Sequence, residues 1–192
     1  MDLELLYEGN RLEAGINTFT SKQTNDIVEG GTASTGEYVN LGQARFHGGE
    51  MEAKYFLSKN LLLLGSGSYQ SNKDGSGDTN ITPVANLAGK GGISYQAANG
   101  ISASLFDVHQ GPLSGNAQAA NPHPRAYDLL NTDLRYDLCR PLRCRTNSIA
   151  LTVQGNDLLN RAVWLPDWKD VPGDSIFFIR GRTVMAGMRV SF

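Results

Sequence analysis

The chain has two cysteines, Cys139 and Cys144, which flank the tetrapeptide Arg-Pro-Leu-Arg. A turn that joins two strands can hold such a pair close together, and an oxidising compartment would preserve a disulfide between them. A metal site is not favoured, because no histidine lies at the usual spacing of zinc ligands. We therefore predict a disulfide, with two free thiols as the alternative.

Histidines and acidic residues are the other side chains that could bind a metal ion. His109 and His123 bracket one predicted loop, with Asp107 nearby, but exposed loop histidines are far commoner than metal ligands. The segment from Asp74 to Asp78 resembles a calcium loop but lacks the bidentate glutamate that closes one. The sequence offers no Ser/His/Asp set and no carboxylate pair suited to catalysis. We expect a protein that is not an enzyme and has no cofactor or metal site.

Aromatic residues surround the last long predicted loop: Trp164, Trp168, Phe177 and Phe178. Two interpretations stay open for them. They could form an aromatic contact for a ligand, or they could pack at a membrane–water interface, where Trp and Tyr are enriched. The second arrangement is the commoner one, so Trp164 and Trp168 are only candidate ligand contacts.

The composition of the 192 residues is that of an all-β protein, with 22 glycines and many Ser, Thr and Asn residues. The longest apolar run, Leu61 to Leu64, is far shorter than the ~20 residues of a membrane-crossing helix. A β-barrel stays compatible with this composition, because only alternate residues of its strands face lipid. The formal net charge of −2 gives no reason to expect a nucleic acid as partner.

Period-two alternation between turn signals predicts nine strands. They cover residues 2–8, 11–28, 37–57, 60–72, 83–96, 100–110, 126–139, 147–160 and 178–192. The connectors alternate strictly between short and long ones, from the tight turn at Gly9 and Asn10 to the long stretch 161–175. Outer-membrane barrels have this asymmetry, because their periplasmic turns are short and their extracellular loops are long. The pattern predicts an all-β fold, an antiparallel transmembrane β-barrel segment of about 8–10 long strands.

The odd-numbered predicted strands share one pattern of side chains. Each carries an aromatic residue near its exit, namely Tyr7, Tyr55 with Phe56, Tyr95, Tyr136 and Phe192. In four of these strands the aromatic continues an apolar set at every second residue, and the residues between are polar. A basic side chain on the lipid face costs roughly 2–4 kcal/mol at the midplane, so a one-residue slip is disfavoured. A soluble sheet with one wet face is the alternative, but it does not explain the asymmetry of the loops.

Several segments resemble TonB-dependent outer-membrane receptors. In the closing strands the similar segments are 127–136, 149–161 and 180–192. Val153 to Arg161 resembles the family's V-x-N-L-x-(D/N)-(K/R) pattern, with Gly155 where Asn is more usual, and Gly181, Arg182 and Phe192 resemble its final turn and terminal residue. Upstream, Gly48 to Glu52 resembles the family's G-x-E-x-E hairpin, and 61–69 resembles its glycine-spaced partner strand.

The resemblance implies a receptor that takes up a scarce solute, such as a ferric siderophore, driven by the TonB complex of the inner membrane. The family's N-terminal plug, its TonB-contacting box and more than half of its about 22 strands have no counterpart in this sequence. The implied partners are outer-membrane lipid, the barrel-assembly machinery, the missing plug and strands, the TonB complex through that missing part, and an unidentified solute. The resemblance also implies that the terminal aromatic, Phe192, belongs to the signal that the barrel-assembly machinery recognises.

We therefore expect residues 1–192 to be a single barrel region of this type, the C-terminal portion of a receptor without its plug. Its location would be the outer membrane of a Gram-negative bacterium, with the C-terminus in the periplasm. The odd number of predicted strands supports a portion of a longer receptor, because a complete single-chain barrel has an even number of strands. The segment from Met1 to Gly9 has no features of a signal peptide, which fits either a longer precursor or a cytoplasmic chain. A small self-contained structural or adhesive barrel is the alternative, and the sequence does not identify the solute.

Overall fold

The computed structural model describes residues 1–25, 27–29, 38–40, 43–75, 77–79, 84–113, 120–139, 148–166, 174–179 and 181–191. Nine long strands form its main element: β1 (Asp2–Glu8), β2 (Leu12–Thr24), β5 (Gln43–Ser58), β6 (Leu61–Asp74), β7 (Leu87–Gln96), β8 (Ile101–Gln110), β9 (Tyr127–Asp137), β10 (Ser148–Asn156) and β13 (Thr183–Ser191). Two short hairpins accompany them, β3 (Ile27–Glu29) with β4 (Tyr38–Asn40) and β11 (Trp164–Pro166) with β12 (Ser175–Phe177).

The nine long strands form one antiparallel sheet in the order β1-β2-β5-β6-β7-β8-β9-β10-β13. Each strand pairs with the next one along the chain, apart from the two hairpins, so the sheet is a simple meander. β1 and β13 are its two edges, and the sheet is not closed into a barrel. The prediction of an all-β antiparallel sheet of nine long strands is confirmed.

Tight turns join the strands at one end of the sheet. Gly9 donates its N–H to the carbonyl of Leu12 at 2.8 Å in the first turn. Gly100, with a φ of 93°, allows the turn between β7 and β8, since other residues rarely adopt this left-handed conformation. The opposite end carries the long connectors, which include both short hairpins. The structure therefore has the end-to-end asymmetry of connectors that the sequence predicts.

The strand boundaries differ from the predicted ones by four or more residues in five places; two of these are the predicted strand 147–160, which ends at Asn156, and the predicted strand 178–192, which begins at Thr183. The predicted strand 11–28 ends at Thr24, where Asn25 follows with a φ of 60°. The predicted strand 37–57 begins only at Gln43 in the sheet, and part of its start pairs instead within the separate hairpin of β3 and β4. The predicted strand 83–96 begins at Leu87. The observed boundaries are those of the hydrogen-bonded pairing with the neighbouring strands.

The two faces of the sheet differ in chemistry. We call one the apolar face; it carries Leu5, Ile16, Met51, Leu63, Ile93, Leu105, Leu134, Val153 and Met188. The other, the polar face, carries Glu13, Glu50, Ser66, Lys90, Ser104, Asp133 and Gln154. Most apolar-face side chains are solvent-exposed in this single layer, Met51 by 62 % and Met188 by 68 %. Such a face needs an apolar medium or partner to cover it.

Four tyrosines line the tight-turn end of the apolar face: Tyr7, Tyr55, Tyr95 and Tyr136. Their exposed fractions lie between 36 and 58 %. Phe192, the last aromatic of the predicted set, lies outside the described residues. Rings with a polar hydroxyl suit a membrane–water interface, because one end is apolar and the other is hydrated. No helix among the described residues is long and apolar enough to cross a membrane.

Candidate functional site

A concavity of about 510 Å³ lies on the polar face and crosses β1, β2, β5, β6, β7 and β8. Two neighbouring cross-strand rows build it. One row contains Gly15, Glu52, Ser66 and Lys90, and the other contains Glu4, Asn17, Glu50 and Ser68. Three carboxylates therefore face one ammonium group in this concavity. This charge balance suits a partner rich in cationic groups or hydrogen-bond donors.

Asn17 lies between two of these carboxylates, because β2 pairs it with Glu4 on one side and with Glu50 on the other. Its Oδ1 atom is buried and has no hydrogen-bond partner among the described residues. A buried acceptor without a donor costs roughly 1–3 kcal/mol, so this position favours a ligand or partner that supplies an N–H or O–H group.

Hydrogen bonds and one ion pair extend the polar face on either side of the concavity. Lys54 Nζ lies 3.5 Å from Glu13 Oε2, with both side chains about half exposed. Gln154 donates from Nε2 to Asp133 Oδ2 at 3.0 Å. Exposed pairs of this kind contribute roughly 0–1 kcal/mol to stability. They therefore keep the face hydrated and polar rather than hold the sheet together.

Trp164 lies in the hairpin of β11 and β12, within the last long connector. Its ring meets that of Phe177 edge to face, with centroids 5.2 Å apart and an interplanar angle of 63°. We call this unit the aromatic hairpin; its exposed apolar side chains are Ile176, Phe177 and Phe178, each about half exposed. Trp168 lies outside the described residues. The structure thus places Trp164 beside an exposed apolar surface at the long-connector end.

The aromatic hairpin is tied to the connector between β8 and β9. Ser175 donates its N–H to the carbonyl of Asn121 at 3.1 Å, and its hydroxyl donates to the carbonyl of Pro122. Asn121 and Asp174 also form an isolated parallel bridge. Two connectors that are distant in sequence therefore form one surface at this end of the sheet.

The histidines do not gather into a metal site. His109 Nδ1 lies 2.6 Å from Asp128 Oδ1, across β8 and β9 on the apolar face. His123 lies exposed in the connector that follows β8. Within the described ranges, no group of three or more His, Cys, Asp or Glu side chains could hold a metal ion. Asp74 acts as a turn cap, because its Oδ1 accepts the N–H groups of Gly77 and Asp78, each at 2.8 Å.

Cys139 lies two residues after the end of β9, at the tight-turn end of the sheet. Its backbone N–H donates to Asp137 Oδ1 at 3.0 Å, which fixes the start of the connector. The described part of the chain contains no free cysteine. Cys144 lies outside that part, so its pairing with Cys139 stays a prediction.

A polar turn follows β10, and no pattern in the sequence predicted it as a site. Asp157 is only 3 % exposed; its N–H donates to Asn131 Oδ1 at 3.0 Å and its Oδ1 accepts the N–H of Arg161 at 2.9 Å. Asn160 Oδ1 accepts the N–H of Arg182 at 3.1 Å. Both Asp157 and Asn160 have a positive φ, 48° and 54°, which Asn and Asp tolerate best after Gly. The turn thus connects β9, β10 and the start of β13.

Comparisons with known proteins give one consistent family. A family model described as TonB dependent receptor-like, beta-barrel matches residues 2–158. The sheet is similar to the ferripyoverdine receptor of the outer membrane of Pseudomonas aeruginosa, with a TM-score of 0.70 and 15% identity over 97% of this chain and 26% of that chain. No curated protein sequence matches the chain.

Two further solved structures have the same fold. The copper transporter OprC matches with a TM-score of 0.73 and 18% identity, over 98% of this chain and 30% of that chain. The ferric citrate transporter FecA matches with a TM-score of 0.74 and 16% identity, over 99% of this chain and 30% of that chain. At these identities the likeness shows the fold alone. The chain spans between 26% and 30% of the length of these three structures.

Proposed function

Because this chain belongs to the TonB-dependent receptor-like β-barrel family, we propose that it is the C-terminal part of a receptor that takes up a scarce solute, such as a ferric siderophore. Proteins of this family are outer-membrane receptors and transporters rather than enzymes. The observation that carries the proposal is one antiparallel sheet with an apolar and a polar face over the residues that match the family. In this function the apolar face contacts lipid and the polar face lines the interior of the barrel.

The two edges of the sheet support a larger barrel. β1 and β13 do not pair with each other, so each has a row of free N–H and C=O groups. In hydrocarbon each unpaired group would cost several kcal/mol, so strands outside this chain would have to pair with both edges. The chain also spans less than a third of the solved structures it matches. A small self-contained barrel is not favoured, because that function would require β1 and β13 to meet.

The ends of the sheet support one orientation in the membrane. Tight turns lie at one end together with Tyr7, Tyr55, Tyr95 and Tyr136, which we call the tyrosine girdle, and the long connectors lie at the other end. In barrels of this kind the short turns face the periplasm. We therefore assign the periplasm to the tight-turn end and to the C-terminus, and the cell exterior to the aromatic hairpin. The missing plug would occupy the interior and contact the TonB complex.

The aromatic hairpin, with Trp164 and Trp168, is the proposed outer contact for the solute. Its apolar side chains are about half exposed at the end that would face the exterior, and a second connector holds the hairpin in place. Aromatic side chains anchor ligands efficiently, because they bury a large area with little loss of conformational entropy. The polar face below it would then offer carboxylates and amides along the route inward.

Uptake by cells tests this function. The gene for the complete protein would be deleted and restored in its own host, and radiolabelled ferripyoverdine, ferric citrate, a ferric catecholate and copper would be offered under metal limitation. Uptake of at least one of these solutes should depend both on the gene and on an intact TonB complex. Uptake that is equal with and without the gene for every solute would contradict the proposed function.

The aromatic contact has a separate test in the same cells. Trp164→Ala should weaken solute binding about tenfold, because it removes a partly exposed aromatic side chain from the proposed contact surface. Leu159→Ala is the control, since Leu159 is an exposed apolar residue at the same end of the sheet but outside the hairpin. Equal affinities of the two variants would mean that the hairpin packs at the rim without contacting the solute.

A further inference from the structure

Basic side chains lie on both faces of the nine-stranded sheet. Within the described strands, Lys54, Lys90, Arg135 and Arg189 lie on the polar face. Lys22, Arg45 and Lys73 lie on the apolar face, with the parity of Ile16, Met51 and Leu63. We call these three residues the basic row. A basic side chain on the lipid side is unfavourable within the hydrocarbon, so its position along the strand matters.

The register brings the three members of the basic row side by side. β2 places Lys22 directly opposite Arg45, and β6 places Lys73 directly opposite Arg45 on its other side. Directly opposed side chains have Cβ atoms about 4.5–5.5 Å apart, and like charges in such positions repel. The sheet therefore concentrates three positive charges on a short stretch of three adjacent strands.

Among the residues that the structure describes, no acidic group neutralises these three positive charges. All three side chains are exposed, and none of them forms an ion pair with a described residue. The acidic residues on the apolar face of the described strands are Asp107 and Asp128, on β8 and β9, which β7 separates from the row. Asp128 is already paired with His109 at 2.6 Å. An anion from outside the chain would therefore relieve the repulsion.

The distance between the basic row and the tight-turn end of the sheet gives the depth of the row in the membrane. Leu12, Tyr55 and Leu63 form a parallel row near the tight turns, and each lies ten residues from its counterpart in the basic row. Ten residues of strand span about 34 Å, which is about 26 Å along the membrane normal at a tilt of about 40°. The apolar band of outer-membrane barrels is about 25 Å tall. The basic row therefore lies at the far boundary of that band, at the level of lipid headgroups.

We propose that Lys22, Arg45 and Lys73 bind the phosphate groups of the anionic glycolipid that forms the outer leaflet of the membrane. Arg45, at the centre, can donate two parallel N–H bonds to one phosphate, and the flanking lysines add positive point charges. A lipid is the ligand that fits this position, because the basic row faces away from the barrel interior and lies at the depth of the lipid headgroups. The inference rests on the proposed orientation, in which the long connectors face the exterior.

The test uses the complete protein, purified in detergent and titrated with three probes: lipid A with both phosphates, the same lipid after removal of its phosphates, and inorganic phosphate. Bound lipid is counted by native mass spectrometry. The variant Arg45→Gln/Lys73→Gln should weaken binding of the phosphorylated lipid about thirtyfold. Arg11→Gln/Lys59→Gln, which removes two basic residues at the tight-turn end, is the charge-matched control and should bind like the wild type.

Several results would overturn the proposal. Equal binding of phosphorylated and dephosphorylated lipid would exclude phosphate recognition, and displacement of the lipid by millimolar inorganic phosphate would make the site one for a free anion. Wild-type binding by Arg45→Gln/Lys73→Gln would exclude the basic row. The exchange variant Arg45→Lys/Lys73→Arg keeps both charges and should retain binding within a few fold, which separates loss of charge from misfolding.

Solute uptake by the same variants separates this inference from the proposed function. Weaker lipid binding with unchanged uptake supports the basic row as a lipid site, independent of the solute. A wild-type protein that binds the phosphorylated lipid through these residues but transports none of the offered solutes would contradict the proposed function alone.

Discussion

Phe106 lies across Gly92 of the neighbouring strand, so closely that a Cβ atom added to Gly92 would lie 2.1 Å from Phe106 Cδ1. The register pairs the two residues directly on the polar face of β7 and β8. The same Cβ would meet the backbone oxygen of Leu105 at 2.8 Å, and a backbone atom cannot move away as a side chain can. Gly92 is therefore required by close packing between strands rather than by a turn.

Gly92→Ala should destabilise the folded barrel by about 1–3 kcal/mol, because the ring and the neighbouring strand must both shift. Gly65→Ala is the control, since an added Cβ there has nothing within 4 Å. Urea titration of both variants in lipid vesicles, followed by gel mobility without heating, measures the difference. Equal unfolding midpoints for the two variants would contradict the proposed role of Gly92.

Asp157→Ala should also destabilise the barrel, by about 1–3 kcal/mol, because it removes the acceptor for the N–H of Arg161 from a buried turn. Asp157→Asn should lose less than half as much, since Asn keeps the acceptor oxygen and tolerates the positive φ. The same urea titration ranks the two variants. If Asn and Ala were equally damaging, the carboxylate charge rather than the turn geometry would be the important feature.

The long strands could be predicted from the sequence and the short ones could not, because the number of residues in a strand decides whether alternation can be recognised. Each of the nine long strands spans at least seven residues, so alternation of side chains reveals both its presence and its apolar face. The strands of the aromatic hairpin have three residues each, too few for any period to appear. Trp164 could thus be singled out by residue type, but its contact with Phe177 could not.

The basic row shows a second limit of prediction from sequence. Lys22, Arg45 and Lys73 each look like an ordinary charge near the end of a strand. Only the register reveals that they are neighbours, because a shift of one residue would move any of them to the other face. Likewise, the turn at Asp157 depends on Asn131 of an earlier strand, a contact that no local pattern contains.

Cys139 and Cys144 are predicted to form a disulfide that closes the connector after β9. Thiol titration of the denatured, unreduced protein should detect no free thiol, and reduction should release two. Closing so short a loop should add about 2 kcal/mol to stability through the reduced entropy of the unfolded chain. Cys139→Ser serves as the control, because it should expose one free thiol in the unreduced protein. Two free thiols in the unreduced wild type would exclude the bond.

Deletion of Phe192 should lower the amount of the complete receptor that assembles in the outer membrane, because the terminal aromatic is part of the proposed signal for the barrel-assembly machinery. The effect should fall on assembly alone, because β13 ends at Ser191 at the tight-turn end of the sheet, whereas the aromatic hairpin that we assign to the solute lies at the long-connector end. The heat-modifiable fraction on a gel measures assembly, and solute affinity is measured separately on the assembled protein. Phe192→Tyr keeps an aromatic ring and should assemble nearly as well as the wild type. Unchanged assembly after deletion would remove Phe192 from that signal, whereas lowered solute affinity with normal assembly would place it in the binding function instead.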